Sequence, residues 1–501
     1  MLEVFNKISL DKQSNEPLYK QLYTSLKKMI TDGVLCVHIK LPSVRQFCSL
    51  LKINQVTVVT ALKLLEQEGY IYARPASGFY VSPDWMCKEA DSKGSYLVNL
   101  ATVDEIHFDA PFISNVHIDL DHQHAHINFA SSSPSPDMFP LEDFKSVLNE
   151  VLERDKGLAF SYQESQGYEP LRQAIAQMLA KNNILCKPEH IQIISGAQQG
   201  IDIAAKMLLS KGSCIITESP TYSGAAAVFK TRQAEIIDIE MTQNGPDMNT
   251  MEYLIKKHKP AAVYTIPSFQ NPTGMSYSLQ NRHILIELAE KYDFFIIEDD
   301  YVSELDFSDK KYPSLKSIDK YSRVIFIKSF SKLFMPGLRL GFMVMPSSLI
   351  ALSTKMKLST DISTSGFIQR AFELYITKNL LDKHIDKIYD IFFERYKAVI
   401  SCIDKYMPSF CSYKKPEGGL SIWLQLPSGL PVNLLEKIAW SKGITFAPGR
   451  IFYSSSGLST HNNIRISFAS ADENMIEPGL NSLFRCIEHL HLHKERKEPI
   501  L

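Results

Sequence analysis

In the segment 327–342, IKSFSKLFMPGLRLGF, Lys332 stands close to two hydroxyls, Ser329 and Ser331, and to Arg339, at the end of an apolar run. A lysine at the end of a buried strand loses hydration. This lowers its pKa and leaves a nucleophilic amine suited to imine formation. Ser329, Ser331 and Arg339 suit a dianionic phosphate. A partner that is both an aldehyde and a phosphate ester is pyridoxal 5′-phosphate. S-x-S-K alone is only moderately specific, so the reading depends on companions.

FFIIEDDY (294–301) places Asp299 at the end of a buried strand, where a carboxylate can pair with a pyridinium nitrogen. Tyr301, two residues on, faces the same side and can bond the ring 3-oxygen. Asn271 in PSFQNPTG (267–274) offers a second group to that oxygen, in a turn set by Pro272 and Gly274. IISGAQQG (193–200) runs from strand to helix, so the amides near Gly196, Ala197 and Gln198 form an anion-binding helix N-terminus. Tyr222 in TESPTYSG can stack on the pyridine, and Arg465 in NIRISFA offers a fork for a substrate carboxylate. Taken singly, each has a plainer use: Asp299 with Glu298 as a loop-capping pair, Tyr222 as core or surface, Asn271 as a turn, Arg465 as a surface ion pair. Their order along the chain, each after a strand, favours the joint reading.

From about residue 127, short runs apolar on both faces alternate with helical periodicities. They are IQIIS (191–195), SCIIT (213–217), AAVYTIP (261–267), FFIIED (294–299) and RVIFIKS (323–329). That pattern predicts an α/β fold whose largely parallel sheet is covered by helices on both sides. At 501 residues the chain is too long for one ordinary core. Lys+Arg 54 against Asp+Glu 55 excludes a uniformly basic nucleic-acid coat. No apolar stretch approaches bilayer length and the N-terminus lacks a signal-peptide pattern, which predicts a soluble cytoplasmic protein. The eight cysteines form no C-x-x-C pair and read as small hydrophobes. His122, His124 and His126 alternate along HIDLDHQHAH, and without acidic or Cys partners at suitable spacing they read as a polar linker strand, not a metal site. HLHLH (489–493) reads as a fraying helix end.

The first 82 residues are organised differently. A helix over Pro17–Thr31 stops at Gly33, Ser43 caps a short helix, and Asn54 caps a third that buries Val58, Leu62 and Leu65 and stops at Gly69. YIYARPASGFYVS (70–82) follows as a β-hairpin. This is a helix-turn-helix with a wing. Its Lys and Arg outnumber its acids, which suits phosphate contact, although protein contact is the competing use.

Residues 14–82 resemble the winged helix of GntR-type transcription regulators, on LPSVR (41–45), the T-V-x-x-A-L-x-x-L-E-x-E-G-Y run (57–70) and RPASGFYV (74–81). The resemblance implies double-stranded DNA as partner, with Arg45, Gln55, Thr57, Lys63 and Arg74 contacting it. Gln55 and Thr60 stand where the family often has Arg, and His38 replaces a common turn Gly. Gln pairs best with adenine where Arg pairs with guanine, so the operator preference should differ.

Residues 127–490 are similar to the fold-type I aminotransferases, which implies Lys332 as the Schiff-base lysine and the roles given above for Asp299, Tyr301, Asn271, Tyr222, Ser329, Arg339, Gly196–Gln198 and Arg465. Tyr162 adds a pocket hydroxyl. The two halves together look like the MocR-type subfamily of GntR regulators. Expected domains are 14–82, a linker 83–126, and 127–495 with a large subdomain at about 160–345 and a smaller α+β subdomain. The implied function is a homodimeric regulator with exchanged winged helices, in which an amino-acid or amine effector displaces Lys332 from its imine. A working aminotransferase with an appended winged helix, and a scaffold without cofactor, are the alternatives.

Overall fold

The computed structural model describes residues 4–5, 8–12, 14, 16–35, 38–74, 78–82, 127–308, 310–454 and 462–496. The chain divides into two compact units, Met1–Glu105 and Ile106–Leu501. The division falls inside the expected linker, whose residues 83–126, including DSKGS and the three alternating histidines, lie outside the described residues.

In the first unit, helices α1 (Leu18–Thr31), α2 (Val44–Leu51) and α3 (Gln55–Gln67) precede a hairpin of β1 (Ile71–Arg74) and β2 (Gly78–Val81). The caps are those the sequence predicts. Ser43 Oγ accepts from the Gln46 N–H while the Gln46 side chain accepts from the Ser43 N–H, and Asn54 Oδ1 accepts from the Thr57 N–H. Leu22, Leu26, Phe47, Val58, Leu62 and Leu65 close the core. His38, at the position where the resemblance expects Gly, adopts a left-handed φ of 65°, so the backbone demand remains although the residue has changed.

In the second unit, seven strands form one sheet in the order β4 (Ile191–Ile194), β10 (Gly341–Val344), β9 (Val324–Ser329), β8 (Phe295–Asp300), β7 (Ala262–Thr265), β5 (Cys214–Ser219), β6 (Glu235–Glu240). The pairs among β6, β5, β7, β8 and β9 are parallel, and β10 runs antiparallel to both its neighbours. Successive residues of one strand enter different cores, which explains the uninterrupted apolar runs. In β9, Val324 joins the helices Met248–His258 and Leu279–Tyr292, Phe326 joins those at Leu141–Asp155 and Glu169–Ala180, and Ile325 and Ile327 join the helix Ala197–Leu208 on the other face.

A second sheet has the order β11 (Ser412–Tyr413), β12 (Ser421–Gln425), β14 (Asn463–Ser467), β13 (Ile444–Pro448), β3 (Ile127–Phe129). It packs with the long helices Leu380–Tyr406 and Glu473–Arg496. The last helix runs on through HLHLH, and His491 packs its ring 3.9 Å from Phe410. The expected fraying there is corrected: the helix continues through the histidines to Arg496. Cys214, Cys402, Cys411 and Cys486 are buried and free, as expected of small hydrophobes, whereas Cys48 and Cys186 are half-buried. Among the described residues no helix is long and apolar enough to cross a membrane.

Candidate functional site

Lys332 lies just past β9, and its Nζ is 3.4 Å from Ser133 Oγ. Burial, then the nearby cations Arg465 and Arg339, push its pKa down to about 8 against the pull of Asp299. At neutral pH a useful fraction of the amine is thus unprotonated, the condition for nucleophilic attack.

Asp299 is buried in β8. Its Oδ2 accepts a 2.7 Å bond from the Tyr264 hydroxyl on β7, while Oδ1 has no hydrogen-bond partner. Burial pushes the carboxyl up to about 6, with Tyr264 opposing. A buried carboxylate oxygen left without a donor is costly unless a donor arrives, and a protonated ring nitrogen is such a donor. Tyr264 was not foreseen; the only signal was a hydroxyl-bearing residue inside the apolar run AAVYTIP.

The phosphate end forms where β4 turns into the helix Ala197–Leu208. Gly196 has φ 91°, and a methyl group added there would lie 2.5 Å from Arg339 Nη2. Glycine therefore allows the guanidinium to lie against the helix N-terminus. Arg339 Nη2 also donates to the Ser195 carbonyl, at 3.1 Å. Ser329 is buried and its Oγ accepts from the Ser331 N–H. Gln198 receives the Tyr222 hydroxyl at 3.2 Å and donates to the Gly224 carbonyl at 2.8 Å. Tyr222 is thereby fixed beside the cradle.

Tyr301 donates to the Phe269 carbonyl at 2.7 Å, leaving its oxygen able to accept. Asn271 Oδ1 accepts from Arg465 Nη1 at 2.8 Å. Arg465, on β14, is 1% exposed. Its other arm donates to the Ala130 carbonyl, and its Cζ lies over the Phe452 ring, 5.0 Å from the centre. A surface ion pair is thus excluded for Arg465. Tyr162 is 86% exposed on this chain, so its hydroxyl is not enclosed among this chain's own site residues.

The capping alternative holds for Glu298, not for Asp299. Glu298 accepts from the Leu315 and Lys316 N–H groups, while Asp299 faces the other way along the strand. Two further carboxylate sites were missed. Glu218 in TESPTYSG is buried and receives Thr265, Ile266, Tyr277 and Gln270, which anchors the loop bearing Asn271. Lys328, four residues before Lys332, is buried against Asp300 at 3.1 Å and Glu304 at 2.7 Å. Sequence gives no sign which of the two lysines is paired. No group of metal-ligating side chains occurs among the described residues.

On the winged helix, Arg45, Gln55, Lys63 and Arg74 are exposed and Thr57 is half-buried. Arg74 lies over the Tyr80 ring at 4.7 Å and bonds the Tyr72 hydroxyl. Lys27 is paired with Glu68 at 3.0 Å, so part of the basic surplus is internally neutralised.

These features define a two-part protein, a winged helix followed by an α/β domain with a lysine set for carbonyl chemistry. The chain belongs to the family described as Aminotransferase class I and II, which matches residues 125–483, and residues 18–81 match the gntR family of bacterial regulatory proteins. This is the domain plan of MocR-type GntR regulators. It is 33% identical to aromatic-amino-acid aminotransferase 1 of Thermococcus litoralis, over 72% of this chain and 88% of that protein. It is 28% identical to the HTH-type transcriptional regulator YdfD of Bacillus subtilis, itself named as uncharacterized, over 96% of this chain and 98% of that protein. The kynurenine aminotransferase of Pyrococcus horikoshii, solved in complex with PMP, matches with a TM-score of 0.73 and 30% identity, over 80% of this chain and 99% of that one. The site fits pyridoxal 5′-phosphate: the open Asp299 oxygen, the Gly196–Arg339 cradle and the depressed amine answer its ring nitrogen, phosphate and aldehyde.

Proposed function

We propose that this protein is a transcription regulator that binds operator DNA through its winged helix and senses an amino compound at the pyridoxal phosphate site. The observation that carries the reading is that one chain bears exposed Arg45, Gln55 and Lys63 on a winged helix and, in its second unit, a Lys332 site backed by the buried Asp299, Tyr301 and Arg465. YdfD, similar over nearly the whole chain, is named a regulator.

When bound, the cofactor supplies an aldehyde for amines and a ring that withdraws electrons. Lys332 presents the amine that holds it. Asp299 keeps a proton on the ring nitrogen, Arg339 with the 196–198 amides holds the phosphate, and Arg465 orients a carboxylate on the incoming compound. An effector that competes with Lys332 changes the charge and contacts of this crevice. It alters DNA affinity only as far as it favours one arrangement of the chain over another. The exposed side chains of Leu158, Phe160 and Tyr162, at 68%, 66% and 86%, support a homodimer that covers them and gives Tyr162 a neighbouring subunit's pocket. Exchange of winged helices within that dimer is part of the proposal.

The test is fluorescence anisotropy of promoter DNA against the full chain, with and without pyridoxal phosphate and a panel of amino acids. A salt-dependent affinity that shifts with one amino acid, and ceases to shift in Lys332→Ala, supports the regulator. A second reading, an active aminotransferase, is favoured by the burial of Arg465, which a sensor of free cofactor does not require. Turnover with a 2-oxo acid and no promoter binding would establish that reading instead.

A further inference from the structure

Ser195, next to Gly196 in the phosphate cradle, is held from several sides. Its N–H donates to Gln199 Oε1 at 2.8 Å, and its Oγ donates to Asp361 Oδ2 at 2.9 Å and lies 3.0 Å from Thr364 Oγ1. Its carbonyl receives Arg339. The same Asp361 oxygen accepts from Gln199 Nε2 at 2.8 Å. Lys357 completes the set: its Nζ donates to Asp361 Oδ1 at 2.5 Å and to Thr364 Oγ1 at 3.0 Å, and it is 0% exposed.

A fully buried lysine is expensive unless paired, and a Met of similar length would fill the same space without that cost. Here the ammonium fixes one carboxylate whose other oxygen reaches Ser195 and Gln199, the two residues that bracket the Gly196–Gln198 amides. The backbone carries a second sign of constraint. Ile362, directly after Asp361, has φ 65° and ψ −64°, and the Ser363 N–H bonds the Asp361 carbonyl at 2.6 Å. That is the rare hand of γ-turn, at a β-branched residue. Such a conformation persists where surrounding contacts over-determine it. The turn brings Thr364 back onto Lys357 and Ser195.

We propose that Lys357 and Asp361 are a positioning pair for the phosphate end of the site, holding Ser195 and Gln199 so that Arg339 and the 196–198 amides converge on one dianion. The inference rests on the pyridoxal phosphate reading. It predicts that the pair acts on phosphate and not on the aldehyde end.

The test compares two probes on the full chain, pyridoxal 5′-phosphate and pyridoxal, by absorbance titration and by intact mass after borohydride. In Asp361→Asn, affinity for the phosphorylated probe should fall about tenfold, the scale of one lost hydrogen bond to a charged group, with pyridoxal uptake unchanged. Inorganic phosphate should raise the melting temperature of the cofactor-free wild type and not that of the variant. Should Asp361→Asn fail to fold, Thr364→Val and Lys357→Met give the same comparison with the carboxylate retained. Equal losses for both probes, or none for either, would overturn the pair's role. A wild type that takes up neither probe would instead overturn the cofactor reading.

Discussion

Asn271 and Arg465 meet through a 2.8 Å hydrogen bond between Oδ1 and Nη1, which ties the loop after β7 to β14 of the other sheet. The group expected to touch the cofactor's 3-oxygen is thus bonded to the group expected to hold an effector carboxylate. The two sheets thus share a polar contact inside the site.

From this contact follows a discrimination experiment. Arg465→Lys keeps the charge and loses the planar fork, and such exchanges are not conservative at bidentate sites. The ratio of affinities for an amino acid and its decarboxylated amine should fall by at least about tenfold, near 1.4 kcal/mol. Affinity for the amine alone should be unchanged. Equilibrium titration of both compounds checks this. Equal loss for both would mean that Arg465 only supports the fold.

The position of Lys332 predicts a pH dependence. With the amine near pKa 8, cofactor uptake by the cofactor-free protein should accelerate as pH rises through about 8 and level off above it. The folded value lies below the unfolded one, so between about 8 and 10.5 the unfolded chain binds the proton more readily and stability rises with pH. Lys332→Met should remove that rise and stabilise the cofactor-free protein at neutral pH by about 1 to 3 kcal/mol. Denaturant melts at pH 7 and pH 10 measure both effects.

Glu218 supports Asn271 from below. Its Oε1 accepts from Thr265, Ile266 and Tyr277, and its Oε2 from Gln270 Nε2 at 3.0 Å. Gln270 in turn holds Thr273, so the loop 270–273 is braced on both sides of Asn271. Glu218→Gln keeps the shape but sets one NH2 against another. Stability should fall by about 1–3 kcal/mol, with weaker cofactor retention. An unchanged melt would show that the carboxylate is not needed to brace the loop.

The strands were legible because both faces of each are buried, which leaves a continuous apolar run, and the caps at Ser43 and Asn54 because their chemistry is local. The antiparallel β10, GFMV, carries no strand signal of its own, because it continues directly from the Lys332–Arg339 segment. The second sheet was legible only in part, through NIRISFA, since its strands are short and joined by long connections. What sequence could not separate were charged residues by their partners. Lys328 and Glu218 look like ordinary surface charges until tertiary structure buries each against groups tens of residues away, and Lys357 looks like one half of an ordinary i, i+4 surface pair with Asp361 until the fold buries it. Asp299 and Lys332 were found because neighbouring motifs point to one ligand, whereas nothing adjacent to Lys357 points anywhere.

At the recognition helix, Gln55 is exposed in the first turn of α3 and Val56 beside it is 73% exposed. Gln pairs with the N6 and N7 of adenine, and an exposed aliphatic group suits the thymine C5-methyl. Oligonucleotide selection with the full chain should therefore enrich an A·T pair opposite Gln55 and a thymine next to it. Gln55→Arg should move the first preference to guanine, by about 1–3 kcal/mol. Lys63→Ala should weaken all sequences alike and lower the salt dependence by about one phosphate contact. If guanine is enriched opposite the unaltered Gln55, then the side chain does not read the base it faces, and specificity must come from Arg45 or the wing.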